Sequence, residues 1–301
     1  MKKAEGSPVY VGMGWILCDH VMMMPSYPRE DEKVVATKSL KQVGGPAVRA
    51  LMTIRNFGAE ARFVGAVGDD SIGRRVTAEL RDSREIDVSL VVTDRGVGTR
   101  ETQVWLAGDS GSRTIAYSPA GPELRKSVPS SVLLGAQALV LDGRHAATAV
   151  ELARTARERG IFVAVDLGSY KDVFVEMAGL TDLMVGPEAT WATLSQEAGF
   201  SSTRAFMLGM EDITCVMTHG DGPIVCTSGQ EEMLYEPKRV AAIDSNGAGD
   251  VFFGAMVWGL THRWDMDRAV VFATTASALK CQRIGNLGIP RLEEILELIG
   301  P

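Results

Sequence analysis

Asp244-Ser245-Asn246-Gly247-Ala248-Gly249-Asp250 runs directly into Val251-Phe252-Phe253-Gly254-Ala255-Met256-Val257-Trp258. A small, polar turn is thus followed at once by an apolar, helix-forming run. Glycine at 247 and 249 lets the backbone adopt conformations closed to other residues and approach a ligand closely. A helix that starts here turns its free N–H groups and the positive end of its dipole toward an anion. Asp250 falls in the first helical turn, with its carboxylate beside that anion hole. Such a pairing can take a proton from a hydroxyl while the amides stabilise a phosphoryl group in transfer. A glycine-rich helix start with Asp250 as its cap is the plainer alternative.

Outward from this segment, short apolar runs alternate with amphipathic helical patterns, which predicts βαβ units and a mostly parallel sheet. Val9 to Leu17, Ala61 to Val67, Ala138 to Leu141, Ile161 to Val165 and Asp212 to Thr218 read as strands. Pro46 to Asn56, Ile72 to Arg84, Ala146 to Arg159, Asp267 to Gln282 and Arg291 to Ile299 read as helices. Asp69 and Asp70 precede one of them and read as its cap. Two stretches break the rhythm: Lys33 to Val43 and Arg100 to Tyr117 alternate polar and apolar residues, and Gly108-Asp109-Ser110-Gly111 supplies a hairpin turn. They predict a small β-flap over an α/β core. The organisation is a single domain over 1–301, with a lid formed by about 18–43 and 97–118.

Composition narrows the functional classes. With 301 residues, 46% hydrophobic and 23% charged, the chain fits a globular protein with a sizeable core. A formal net charge of −7 argues against a nucleic-acid partner. Cys18, Cys215, Cys226 and Cys281 are too scattered for a disulfide scaffold or a CxxC metal site, and they suit a reducing cytoplasm. The apolar segment after Met1 to Pro8 is broken by Gly12, Gly14 and Asp19, so neither a signal peptide nor a membrane span is expected.

Three further motifs stand in order around Asp250: Gly44-Gly45 before a helix, Val67-Gly68-Asp69-Asp70-Ser71-Ile72-Gly73 at a strand end, and Thr218-His219-Gly220-Asp221-Gly222 after a buried strand. Together they resemble the ribokinase-like (PfkB) carbohydrate kinase family over nearly the whole chain. The resemblance implies a three-layer α/β/α sandwich with a mostly parallel central sheet and a small β-lid. It implies an ATP-dependent phosphotransferase acting on a primary hydroxyl of a small sugar or sugar derivative, with Mg²⁺ and a possible K⁺ requirement. It implies Asp250 as the base and Gly247, Ala248 and Gly249 as the anion hole. Asp19, Gly44 and Gly45 match substrate-contacting positions; Thr218, Gly220, Gly222 and Asn246 match the nucleotide side. Asp244 matches a position that helps hold a monovalent cation. A cytoplasmic homodimer follows by the same resemblance.

The chain departs from the family at several points. Arg49 stands where relatives usually carry Asn, and Asn246 where Thr or Gly is usual. Many relatives have Asn-x-x-Glu near the nucleotide's Mg²⁺; the counterpart here is Pro187-Glu188-Ala189-Thr190, leaving Glu188 to act through water. Lys33, Arg144 and Arg49 are candidates for gripping an anionic group, since Arg offers a planar fork and Lys a point charge. The segments Val43–Ala47, Asp142–Arg144 and 279–290 look most like the sulfofructose-kinase branch, although Tyr117 stands where that branch uses Asn. A nucleoside kinase and a catalytically silent ligand-binding relative are the alternatives within the fold. A nicotinamide-dependent oxidoreductase, suggested by Gly12-Met13-Gly14, fails because the third small residue would fall at Leu17.

Overall fold

A computed structural model of the chain describes residues 6–124 and 127–300. The expectation that no signal peptide precedes the first strand therefore falls largely outside the described residues. Among those residues the strands are β1 (Val9–Met13), β2 (Leu17–Met24), β3 (Lys38–Gly44), β4 (Glu60–Gly68), β5 (Asp87–Asp94), β6 (Glu101–Ala107) and β7 (Arg113–Tyr117). They continue with β8 (Ala136–Leu141), β9 (Phe162–Asp166), β10 (Leu183–Pro187), β11 (Thr214–His219), β12 (Gly222–Ser228) and β13 (Glu231–Tyr235). The α-helices are α1 (Pro46–Asn56), α2 (Ser71–Ala78), α3 (Ala146–Glu158), α4 (Val173–Ala178) and α5 (Glu188–Glu197). Four more follow: α6 (Thr203–Gly209), α7 (Ala248–Thr261), α8 (Met266–Cys281) and α9 (Leu292–Ile299).

Nine strands form the central sheet in the order β13-β12-β11-β10-β9-β8-β1-β4-β5, parallel from β11 through β5 and antiparallel at the β12 and β13 edge. Its inner strands are apolar at successive positions because both faces are covered. In β8, Ala138 and Val140 join the core beneath α1, α7 and α8, while Leu139 and Leu141 join the opposite core beneath α3 and α5. That is the expected three-layer sandwich.

Helix α7 is buried from Val251 through Gly259, so it reads as apolar on every side and occupies the middle of its layer. Gly254 makes this crossing possible: a Cβ there would lie 2.6 Å from the Ala50 carbonyl oxygen of α1. Truncating Phe253, fully buried in this layer, removes about 3–5 kcal/mol by the usual cost of a large core cavity. Asp70 caps α2, its side chain accepting the Gly73 amide at 2.6 Å, as the sequence predicts.

The lid sheet has the order β3-β2-β6-β7. Its hairpin turns at 108–111, and the tip packs on the segment before the anion loop: Ser245 Oγ donates to the Gly111 carbonyl at 3.1 Å, and Arg113 Nη1 to Ser245 Oγ at 3.1 Å. The first strand was expected to run from Val9 to Leu17, with the lid beginning at about 18; β1 ends at Met13 and Leu17 already opens β2. The chain leaves the first strand at Gly14, where a Cβ would lie 2.2 Å from Asp142 Oδ2.

Candidate active site

The carboxyl ends of the parallel strands and the inner face of the lid enclose a cavity of about 1150 Å³. Ligands in open α/β sheets bind at this end. Asp142 follows β8, Asp166 ends β9 and Thr218 lies near the end of β11; all three face the cavity.

Asp250 stands on its wall in the first turn of α7, beside Gly247, Ala248 and Gly249. Gly247 has φ 81°, and a Cβ there would lie 2.7 Å from Arg49 Cδ, so both backbone and neighbour require glycine. A Cβ on Gly249 would meet open space. The Ala248 amide leans on the Ser245 carbonyl at 3.3 Å. The Gly247 and Gly249 amides have no protein acceptor and remain available to an anion.

Arg49 of α1 is buried and joins three groups. Its Nη1 donates to Asp250 Oδ2 at 3.1 Å, its Nε to Asn286 Oδ1 at 3.2 Å, and its Nη2 pairs with Asp19 of β2. Burial opposes the guanidinium's charge, but Asp19 and Asp250 more than offset it and hold it firmly protonated. Asp19 also accepts from Thr102 Oγ1 and, at 3.4 Å, from Asn246 Nδ2. Asp250 Oδ1 takes no protein hydrogen bond. The pair therefore presents one finished carboxylate and one with an oxygen turned free.

A second set of charges lies at the ends of β8 and β9. Asp142 accepts the amides of Trp15 (3.1 Å) and Arg144 (3.0 Å), and burial pushes its carboxyl up. Asp166 is pushed up to about 7 by burial and by the nearby Asp250 charge. Lys171 is pulled down to about 8 by burial and then by Arg144. Arg144 and Arg100 lie over the Trp15 ring, 3.3 and 3.7 Å from its centroid. Two guanidinium groups that close occupy opposite faces. Among the described residues neither Arg144 nor Lys171 has an ion-pair partner; Lys171 Nζ donates to the Ser169 carbonyl at 2.8 Å and lies over the Phe174 ring.

Of the residues predicted from sequence, Asp19, Gly45, Arg49, Arg144, Thr218, Gly220, Asn246, Gly247, Ala248, Gly249 and Asp250 line the cavity. Gly44 lies just behind: a Cβ there would crowd Asp19 Cγ at 2.7 Å. Four expectations need correction. Lys33 is exposed and off the cavity wall, since it sits in the irregular segment before β3. Gly222 opens β12, pairs with His219 and stays outside the lining. Glu188 opens α5 off the cavity wall, its carboxylate 67% exposed and 3.8 Å from His219 Nε2, so it is not placed to organise water inside the cavity. Asn246, by contrast, lines the cavity, its side-chain amide donating to Asp19 Oδ2 at 3.4 Å. Asp244 offers no open oxygen to a monovalent cation, because the Lys280 ammonium already contacts it. Among the described residues no cluster of acids, histidines and cysteines forms a metal cage.

Trp15, Asp142, Asp166, Lys171 and Lys280 went unassigned in the sequence. Asp142 and Asp166 carried a usable signal, since each closes an apolar strand pattern where parallel sheets present ligands.

The model for pfkB family carbohydrate kinases matches residues 16–290. The chain belongs to that family. It is an ATP-dependent carbohydrate kinase, similar at 23% identity to the ribokinase of Haemophilus influenzae, with 95% of this chain and 97% of that protein aligned. It is also 23% identical to the ATP-dependent ribose-1-phosphate kinase of Halopiger xanaduensis, over 94% of this chain and 95% of that one. Its fold superposes with a TM-score of 0.81 on a protein described as ribokinase II of E. coli in complex with ATP and Mg²⁺, at 19% identity over 97% of this chain and 99% of that one. All four cysteines are free, and no described helix is long and apolar enough to cross a membrane.

Proposed function

We propose that this kinase transfers the γ-phosphoryl group of ATP to a primary hydroxyl of a small sugar derivative that carries an anionic group. One observation supports the transfer above all: the free oxygen of Asp250 faces a cavity beside two unengaged amides at a helix N-terminus. The acceptor hydroxyl gives its proton to Asp250 Oδ1 as its oxygen attacks the γ-phosphorus, and the bond from that phosphorus to the bridging oxygen breaks so that ADP leaves. The Gly247 and Gly249 amides meet the charge on the group in transfer, where loss of one such donor costs about 10²–10³ in rate. Mg²⁺ on the phosphates supplies charge neutralisation when bound. Asp19 and Arg49 orient the acceptor hydroxyls, and Thr218 and Gly220 border the nucleotide.

The anionic group is argued from Arg144 and Lys171. Two partly buried cations, Arg144 disfavoured by burial and by Arg100 and Lys171 by burial and by Arg144, with no carboxylate in an ion pair with either among the described residues, form a place for an anion, and a phosphate or sulfonate provides several acceptors at once. The named activity of the Halopiger relative on a sugar phosphate is consistent with this. Trp15 is covered on both faces by arginines, which leaves no face for a nucleoside base. The lid completes the site when the hairpin tip at Gly111 rests on the anion loop, limiting attack by water. A homodimer, with β3 and β7 as the edge strands of the lid sheet, completes the proposal.

A coupled ADP-release screen over neutral sugars, phosphorylated or sulfonated sugars, and nucleosides tests the reading. Turnover confined to anionic sugars is the expected result. Preference for neutral sugars or nucleosides contradicts the anion site, and no ADP release with any hydroxyl compound contradicts the transfer itself.

A further inference from the structure

Lys280, next to the C-terminal end of α8, is 1% exposed and takes no part in the chemistry above. Its ammonium lies 3.0 Å from Asp244 Oδ2 and donates to the Asp244 carbonyl at 3.0 Å. Asp244 is wholly buried, and its carboxylate is fully engaged. Oδ1 accepts the Asn246 amide at 2.8 Å and Oδ2 the Gly285 amide at 2.7 Å. The amides of Ile243 and Asp244 in turn donate to the Cys281 carbonyl at 2.7 and 3.0 Å. Asp244 and the ammonium it holds thus tie the end of α8, the turn at 285–288 and the start of the anion loop into a single unit.

The family resemblance places a monovalent cation beside Asp244, and the residues here do not fit one. Lysine ends in a compact point charge with the same unit charge. It already spans both the carboxylate and the carbonyl oxygen, and a second cation beside it would meet direct repulsion. Arg49 adds a further positive charge nearby. We infer that the Lys280 ammonium is a built-in monovalent cation, a positioning residue that holds the 244–249 loop in its anion-binding shape so that the enzyme needs no added potassium.

The test compares potassium with tetramethylammonium salts at matched ionic strength, reading ADP affinity, melting temperature and kcat/KM. The wild-type enzyme is expected to give the same values in both. Lys280→Met is expected to lose about 10²–10³ in kcat/KM, the scale of a mispositioned donor set, and to regain part of it, with a higher melting temperature, in potassium or ammonium. Wild-type affinity or melting temperature that rises specifically with potassium overturns the inference. So does a folded Lys280→Met protein that ignores potassium, or one fully active in tetramethylammonium. Should Lys280→Met fail to fold, the wild-type comparison decides alone. ADP binding and melting require no acceptor, so their outcome stands apart from the identity of the sugar.

Discussion

Asp244 and Asp250 bracket the same loop, and each contacts a buried cation, yet they stand in opposite states. Asp244 has every oxygen engaged, by Lys280 and by the amides of Asn246 and Gly285. Asp250 has one oxygen on Arg49 and the other open to a cavity. A buried carboxylate whose lone pairs are all satisfied by protein is a fastener; one left partly unsatisfied beside free amides is equipped for a proton. The cations divide the same way. Arg49 and Lys280 are paired, whereas Arg144 and Lys171 face the cavity without a carboxylate partner.

That contrast can be broken at its paired end first. Arg49→Met leaves Asp19 buried beside Asp250 with no guanidinium, and removal of one member of a buried pair typically costs about 3–5 kcal/mol. Urea unfolding at neutral pH is expected to show a loss on that scale; a change below about 1 kcal/mol means the pair contributes like an exposed one.

The unpaired end predicts a smaller and more selective effect. Lys171→Met is expected to raise KM for an anionic acceptor about 10- to 100-fold, the scale of a hydrogen bond to a charged group, with little change in kcat. The same lysine sets a pH dependence. Its pKa near 8 in the free enzyme must rise when an anion binds, so affinity is full below pH 8 and declines as pH climbs through and above that value. A KM flat from pH 7 to 10, or one equally raised for a neutral acceptor, removes Lys171 from the anion site.

The smallest effect belongs to Glu188, which touches only His219 at the surface. Glu188→Gln is expected to leave kcat and the Mg²⁺ requirement unchanged in steady-state assays. A tenfold rise in the Mg²⁺ needed would show that the carboxylate reaches the nucleotide after all.

What was legible in the sequence follows from how local each feature is. Gly247, Gly249 and Asp250 lie within one helical turn, so their chemistry could be read from spacing alone. The sandwich was legible because alternating apolar runs and helical patterns leave little choice of layer. The first strand was read too long, since nothing in Gly14 itself announces that Asp142 will lie against it. Lys171 and Lys280 were silent for the same reason. Their roles depend on Arg144 and Asp244, which only the sheet order and the packing of α8 bring near them. Lys33 was over-read, because a lysine in a lid segment carries no information about which side of the lid it takes.

The free oxygen of Asp250 is the claim on which the rest stands, and Asp250→Asn tests it most directly, because the amide keeps the shape and removes the base. Single-turnover transfer from ATP to the accepted sugar, followed beside equilibrium ATP binding, is expected to slow by about 10²–10⁴ while affinity for ATP stays within a few fold. An Asp250→Asn enzyme that transfers phosphate at the wild-type rate would contradict the account.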